Sequence, residues 1–358
     1  MDWDREILLA KKLYLYGAGI IAFGIREALR VLLAKEIEAH IVTEKKPAQQ
    51  FYAGKIIVSV QELPMDTADS LILIATPPEY HSEIQRTLRE HGIHRFIALD
   101  DFCQYRLMSR YFQTVYGFRL LADLTRKEHN STVCAFEILM AKSTMDKPLQ
   151  EAYALPQHVI PVQAGASIDG RIEIAGMHYD DEGDNISARN REYSELTVTY
   201  WAWKHSSADY VGICHYRRIL ELSEVDYQAV ETSDVDAVLP LPYLCEGDAS
   251  FQYSRYVSDE EMGVLFSVLS EAEEKALSDA LRLPYLYNHN LVIARRAVFE
   301  DYCQYLFGVL QRVDKAIKPS GWRTARRMGY LGEILTSVYF TTHADRLRIV
   351  HAPNRWLV

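Results

Sequence analysis

The chain is short of the features that mark several common classes of protein. Its five cysteines, Cys103, Cys134, Cys214, Cys245 and Cys303, are odd in number and scattered, with no C-x-x-C pair. Such spacing argues against a zinc site, a redox couple or a disulfide scaffold, and favours a reducing compartment. No run of about 18 uninterrupted apolar residues is present to span a bilayer. The opening MDWDREILLAKK starts acidic and lacks a long apolar run, so no signal peptide is expected there. A basic excess is missing too: 39 Lys and Arg stand against 49 Asp and Glu, giving a net charge of -10. That balance excludes a broad nucleic-acid surface and confines any anion site to a local cluster. The expected location is cytoplasmic, with peripheral contact at the inner face of the membrane as an open alternative.

What is present begins with length. A chain of 358 residues is long for one domain, and two cores are the natural expectation. Between Lys12 and Leu99 short apolar runs (Leu13 to Tyr16, Ala39 to Thr43, Ile56 to Val60, Leu71 to Ala75, Arg95 to Leu99) alternate with helical patterns at Ile20 to Ala34 and Glu79 to His91. This alternation predicts a Rossmann-like parallel sheet over residues 1–105. Gly17-Ala18-Gly19-Ile20-Ile21-Ala22 fits the G-x-G-x-x-A fingerprint, in which Gly17, Gly19 and Ala22 would let a pyrophosphate approach a helix N-terminus. The acidic residue expected for a ribose hydroxyl has Glu44 as its candidate, followed at once by Lys45 and Lys46. An NAD or nucleotide site here is therefore an alternative, against a domain that has lost its ligand. Ala75-Thr76-Pro77-Pro78 reads as a strand-to-helix turn with Pro at the helix start.

Residues 106–130 are aromatic-rich, helical in period and free of Gly/Ser linkers, and are expected to connect the domains. Val133 to Ala141 opens a second α/β domain over 131–358. Its centre is Gly183 to Leu220: a loop with Asp184 and Asn185, a helix from about Glu192 to His205 carrying Leu196, Tyr200, Trp201 and Trp203, a buried strand Tyr210 to Cys214, and His215-Tyr216-Arg217-Arg218 at its exit. Ligands of open α/β sheets bind beyond the carboxyl ends of strands, and Arg grips phosphate oxygens in pairs. Strand geometry would put His215 and Arg217 on one face, and Tyr216 with Arg218 on the other. The helical aromatics are expected to be core. The acidic loop Asp180 to Asn185 has two readings, a divalent cation site or a capped turn.

The wording GDNIS, YSELT-x-x-YWAWK and DYVGICHYRR, in that order, resembles a bacterial family of capsular and exopolysaccharide biosynthesis glycosyltransferases, domain of unknown function 4422. A weaker likeness runs from about Ser131 to the C-terminus, through His158 to Ala166, Tyr287 to Phe307 and Arg327 to Phe340. The resemblance implies a GT-A-like domain that moves a sugar from a nucleotide-diphosphate donor, with UDP-galactofuranose as one candidate, to a saccharide or lipid-linked saccharide acceptor. Relatives tend to carry His-Lys where this chain has Ala141-Lys142. Many GT-A enzymes end the corresponding strand with Asp-x-Asp and a metal. Here His-Tyr-Arg-Arg stands instead, so Arg217 and Arg218 are expected to neutralise the departing diphosphate, with no metal and no cofactor for transfer.

Asp184, Asn185, His215, Tyr216, Asn288, His289 and Asn290 are the expected donor-binding residues, and Glu333 the expected general base. Asp236 to Pro240 reads as a strand, Tyr243 to Tyr256 as a loop, Leu286 to Ala294 as a strand, and Arg296 to Val313 as a covering helix. Lys315 to Arg327, the most basic segment, reads as a solvated loop or a contact for anionic lipid or acceptor phosphates. Two other functions stay open: a sugar-nucleotide oxidoreductase or epimerase run by the first domain, and a non-catalytic assembly protein.

Overall fold

The computed structural model describes residues 3–63, 69–124, 134–147, 155–172, 176–317 and 326–356. The chain forms two compact units, Met1–Phe118 with Tyr243–Gly247, and Arg119–Pro242 with Asp248–Val358.

In the first unit, strands β1 (Lys12–Tyr16), β2 (Ala39–Val42), β3 (Phe51–Tyr52), β4 (Lys55–Ser59), β5 (Ser70–Ile74) and β6 (Phe96–Ala98) form one sheet in the order β3-β4-β2-β1-β5-β6. All pairings are parallel except the β3-β4 hairpin. Helices α1 (Ile20–Leu33), α2 (His81–Glu90) and α3 (Asp101–Tyr116) accompany it. Apolar strand residues Tyr14, Ile41, Ile72 and Ile74 pack with Ile84 and Leu88 from α2, which is what period-two strands beside a 3.6-period helix allow. The Asp100 carboxylate caps α3 by accepting from Cys103 N at 2.8 Å. Residues 106–116 of the stretch expected as a connector thus belong to α3, and residues 125–130 lie outside those described.

The second unit is built on a nine-stranded sheet. Its strands are β7 (Phe136–Lys142), β8 (Val159–Gln163), β9 (His178–Tyr179), β10 (Tyr210–His215), β11 (Arg218–Leu220), β12 (Ala237–Pro240), β13 (Val292–Arg295), β14 (Ile349–Ala352) and β15 (Asn354–Trp356). The order is β14-β12-β13-β10-β7-β8-β9, with β11 joining β10 to β15. β10, β7, β8 and β9 run parallel, and β13 is antiparallel to β10. Ile138, Met140, Tyr210, Val238 and Ile293 share one buried cluster.

Four local expectations need correction. The helix expected from Glu192 to His205 is two, α4 (Asn190–Tyr193) and α5 (Leu196–His205), broken at Ser194, whose φ of 51° and ψ of -132° no helix admits. The strand expected from Leu286 to Ala294 is interrupted at His289 and Asn290, with φ of 77° and 50°, so β13 starts at Val292. Residues 243–256, expected as a loop, include helix α6 (Ala249–Tyr253). Finally, β10 turns back at Tyr216 and Arg217, so His215 lies opposite Arg218 in an antiparallel pair. The residues that share a face are therefore His215 and Arg218. Of the aromatic helix, Leu196 and Tyr200 are buried, while Trp201 and Trp203 are half-buried; Trp203 stacks on Phe307 at 5.8 Å.

Candidate active site

The β10-β11 hairpin, the His289 turn, the Ser194 break and the start of helix α7 (Arg327–Thr342) converge on one cleft. Its first lobe, about 260 Å³, is lined by Glu195, His215, Arg217, Arg218, Tyr256, Asn288, His289, Arg326, Tyr330 and Glu333. A second lobe of about 310 Å³ has Lys142, Asp146, Asn190 and Arg191 in its wall and shares Glu195, His215, Arg217 and Arg326 with the first. It lies at the carboxyl ends of the parallel strands β7, β8 and β10, where the fold offers its crevice. Ser194, His289, Asn290 and Arg326 are all non-glycine residues with positive φ that border or underlie this cleft. Strained backbone of that kind persists where surrounding structure holds it, and it concentrates at functional sites.

Packing brings the two carboxylates of the first lobe together. A Cβ on Gly332 would come within 2.6 Å of Leu196 Cδ1, so glycine lets α7 press against the start of α5. The next residues along each helix are Glu333 and, one back from Leu196, Glu195. Burial, then the charge of Glu195, push the Glu333 carboxyl up to about 8, while Arg218, the His289 backbone N–H and Arg326 pull the other way. Glu333 remains partly accessible from the cavity.

Arg218 Nη1 donates to His289 Nδ1 at 2.9 Å. Since guanidinium can only donate, that ring nitrogen is the acceptor and the imidazole is neutral. Burial and the Arg218 charge hold His289 well below the ordinary histidine range. Burial likewise pulls His215 down to about 4, with Arg218, Arg217 and Arg326 adding to the effect and Asp146 opposing it. The positive charge of the first lobe therefore resides on its arginines.

Each expected residue has a definite place. His215, Arg217, Arg218, Asn288, His289 and Glu333 line the first lobe. Asn290 does not: it is buried beneath, donating from Nδ2 to Glu195 Oε1 at 2.8 Å and accepting from Thr336 Oγ1 at 3.0 Å. Tyr216 is fully buried; its hydroxyl accepts from Arg217 Nε, and Lys142 Nζ lies 5.1 Å from its ring centroid. It thus pairs with Arg217 and not with Arg218, because the chain turns there instead of continuing as a strand.

Asp184 and Asn185 stand outside both lobes. Asp184 accepts from Tyr200 OH at 3.1 Å, and Asn185 closes a local turn by accepting from Ser187 N at 3.1 Å. The neighbouring carboxylates are equally engaged: Asp180 takes Gly165 N, Ala166 N and Ser187 Oγ, and Asp181 and Glu182 pair with Arg171. These contacts favour the capped turn over the cation site. Among the described residues no group of three or more His, Cys, Asp and Glu is arranged to hold a metal.

In the first unit, Gly17 has φ of +126° and a Cβ there would come within 2.7 Å of Ala75 O. Its carbonyl accepts from the buried His40 Nδ1 at 2.8 Å. Gly19 precedes α1 in open space, Ala22 is buried and Glu44 is exposed.

Sequence reasoning missed Glu195, Tyr256, Tyr330 and Arg326. Glu195 lay within the quoted YSELT wording, and Arg326 within the basic segment, of which residues 318–325 lie outside the described set. Arg326 N donates to Arg191 O at 2.8 Å and its Nε to Ser194 Oγ at 3.3 Å, whereas Arg327 turns away to the buried Glu261 at 3.3 Å.

No curated protein matches the chain. Among solved structures it is similar to the apo form of WbbM, a bifunctional glycosyltransferase, at 24% identity and a TM-score of 0.54. The likeness covers 62% of this chain and 45% of that one, so the chain spans under half of the structure it matches. At that identity the likeness shows the fold, which is GT-A-like in the second unit. The family described as Domain of unknown function (DUF4422) matches residues 147–344. Because that span is more than half of the chain, the protein belongs to the DUF4422 family.

Proposed function

We propose that the second unit is a glycosyltransferase that moves a sugar from a nucleotide-diphosphate donor, UDP-galactofuranose being one candidate, to a saccharide or lipid-linked saccharide of a capsule or exopolysaccharide. The carrying observation is that Arg217, Arg218 and Arg326 line the cavity that also holds Glu333. In transfer, the bond between the anomeric carbon and the diphosphate oxygen breaks and its electron pair leaves with the nucleotide. Guanidinium groups aimed at that charge lower the barrier. The acceptor hydroxyl bonds to the anomeric carbon, and its proton passes to Glu333. With its carboxyl near 8, roughly a tenth of Glu333 is ionised at pH 7, so transfer speeds up as pH rises.

The donor needs no metal in this scheme, and the reaction belongs in the cytoplasm, where nucleotide sugars are supplied; no described helix is long and apolar enough to cross a membrane. Transfer measured with a panel of nucleotide sugars, with and without EDTA, tests the scheme. Activity should survive chelation, and its complete loss would defeat the arginine assignment. An assembly protein without catalysis would instead support polymer formation with Arg217→Ala or Glu333→Gln in place.

A further inference from the structure

We propose that Glu195 binds hydroxyl groups of the transferred sugar and decides which sugar the site accepts. The proposal rests on the transferase reading and extends it to donor selection. Glu195 stands at the seam of the two lobes, lining both with His215, Arg217 and Arg326. Its position is fixed from three sides: by the Ser194 turn before it, by Leu196 against Gly332 after it, and by the Asn290 amide on Oε1. Asn290 is itself oriented, with Oδ1 taking the Thr336 hydroxyl and Nδ2 also reaching Gly329 O at 3.3 Å. The amide nitrogen, not its oxygen, therefore faces the carboxylate.

Two features show what this carboxylate is free to do. No protein donor among the described residues reaches its other oxygen, Oε2. Nor does any described ion pair within 4.0 Å join Glu195 to Arg217 or Arg326, although all three line the same cavities. Opposite charges that could neutralise one another are instead kept apart, each open to the cleft. A ligand complementary to that arrangement accepts hydrogen bonds at one end and donates them at the other. A sugar joined to a diphosphate does both: its phosphate oxygens accept from guanidinium, and its hydroxyls donate to carboxylate in the stronger, charge-assisted kind of bond. Glu333 is confined to the first lobe and serves the acceptor; Glu195, at the seam, meets the ring that follows the diphosphate.

The test is calorimetric titration of the full chain and of Glu195→Gln with UDP, UDP-galactofuranose, UDP-galactose and UDP-glucose. Glutamine keeps an oxygen for Asn290 but turns N–H groups toward the sugar. The wild type should bind its preferred conjugate at least about tenfold more tightly than UDP, and the variant should lose that margin while binding UDP unchanged. Unchanged UDP binding also shows that the variant is folded. Removing one ring hydroxyl at a time from the preferred conjugate should cost the wild type about tenfold at one position and the variant nothing there. In transfer assays Glu195→Gln should lower kcat/KM for that conjugate and, by removing a charge that helps raise the Glu333 carboxyl, move the rise with pH to lower pH without abolishing it. A variant that binds the conjugate as the wild type does, or a wild type indifferent to every deoxygenation, overturns the proposal. Loss of any rise with pH, rather than its shift to lower pH, overturns it as well, by making Glu195 the base. If the wild type binds neither UDP nor any conjugate, the transferase reading for these donors falls and the proposal with it.

Discussion

The two units each end parallel strands in a turn suited to a phosphate, yet the turns are used differently. In the first unit the glycine turn is engaged by the protein at Gly17, which Ala75 O crowds and whose carbonyl accepts from His40, while Gly19 stands in open space. Its acidic partner Glu44 is exposed. In the second unit the turn after β10 displays Arg217 and Arg218 to a cleft where Arg326, Glu195 and Glu333 also face inward. A backbone fingerprint specifies a fold at little cost to the rest of the chain. Side-chain charges held in a cavity carry a desolvation cost, and they persist where something offsets it.

Several variants would break or sharpen that contrast. The largest effect is expected from Arg218→Ala, which removes a cation from the departing diphosphate and should lower kcat about 10²- to 10³-fold. Gly19→Asp in the first unit, at a position with open space for a side chain and with a charge hostile to phosphate, should leave transfer within about twofold; equal losses from both would erase the distinction between the units. Glu333→Gln should cost about 10²-fold and abolish the rise of kcat/KM toward pH 8, and a pH profile unaltered in shape would remove Glu333 from the base role.

Smaller effects concern stability. Gly332→Ala forces a methyl against Leu196 and should cost about 1–3 kcal/mol in chemical denaturation; it should also part Glu195 from Glu333 and so lower the pH at which transfer levels off. Stability also carries a linkage effect. The folded Glu333 carboxyl is held near 8 against an ordinary 4.5, so the folded state carries the extra proton between those values. Its contribution to stability is full below about pH 4.5 and is lost as pH rises through 8. Glu333→Gln cannot ionise, and its melting temperature should gain on the wild type between pH 5 and pH 8; a constant difference across that range would contradict the raised carboxyl.

The parallel sheet of the first unit was legible because apolar runs such as Leu71 to Ala75 and the glycine turn are local patterns. The HYRR cluster was legible for the same reason. What it does was not, since whether Arg217 continues a strand or occupies a turn depends on β11 pairing with β15 from the far end of the chain. That Asp184 and Asn185 bond to Tyr200 and to their own loop was not legible, because a short polar loop reads alike whether it serves a ligand or its own backbone. Asn290 is buried beneath the cleft because Glu195 and Thr336, distant in sequence, claim its amide.

By itself the sequence determined the alternation of strands and helices, the location of the aromatic core helix, and a concentration of guanidinium groups beyond one buried strand, because each depends on neighbours a few positions away. Tertiary structure alone decided that Glu195 and Glu333 share a cavity, that His215 faces Arg218, and that Arg326 joins them. Those meetings depend on helix packing at Gly332, a hairpin at Tyr216 and Arg217, and backbone turns at Ser194 and His289. Contacts between such separated segments leave no periodic trace in a linear chain.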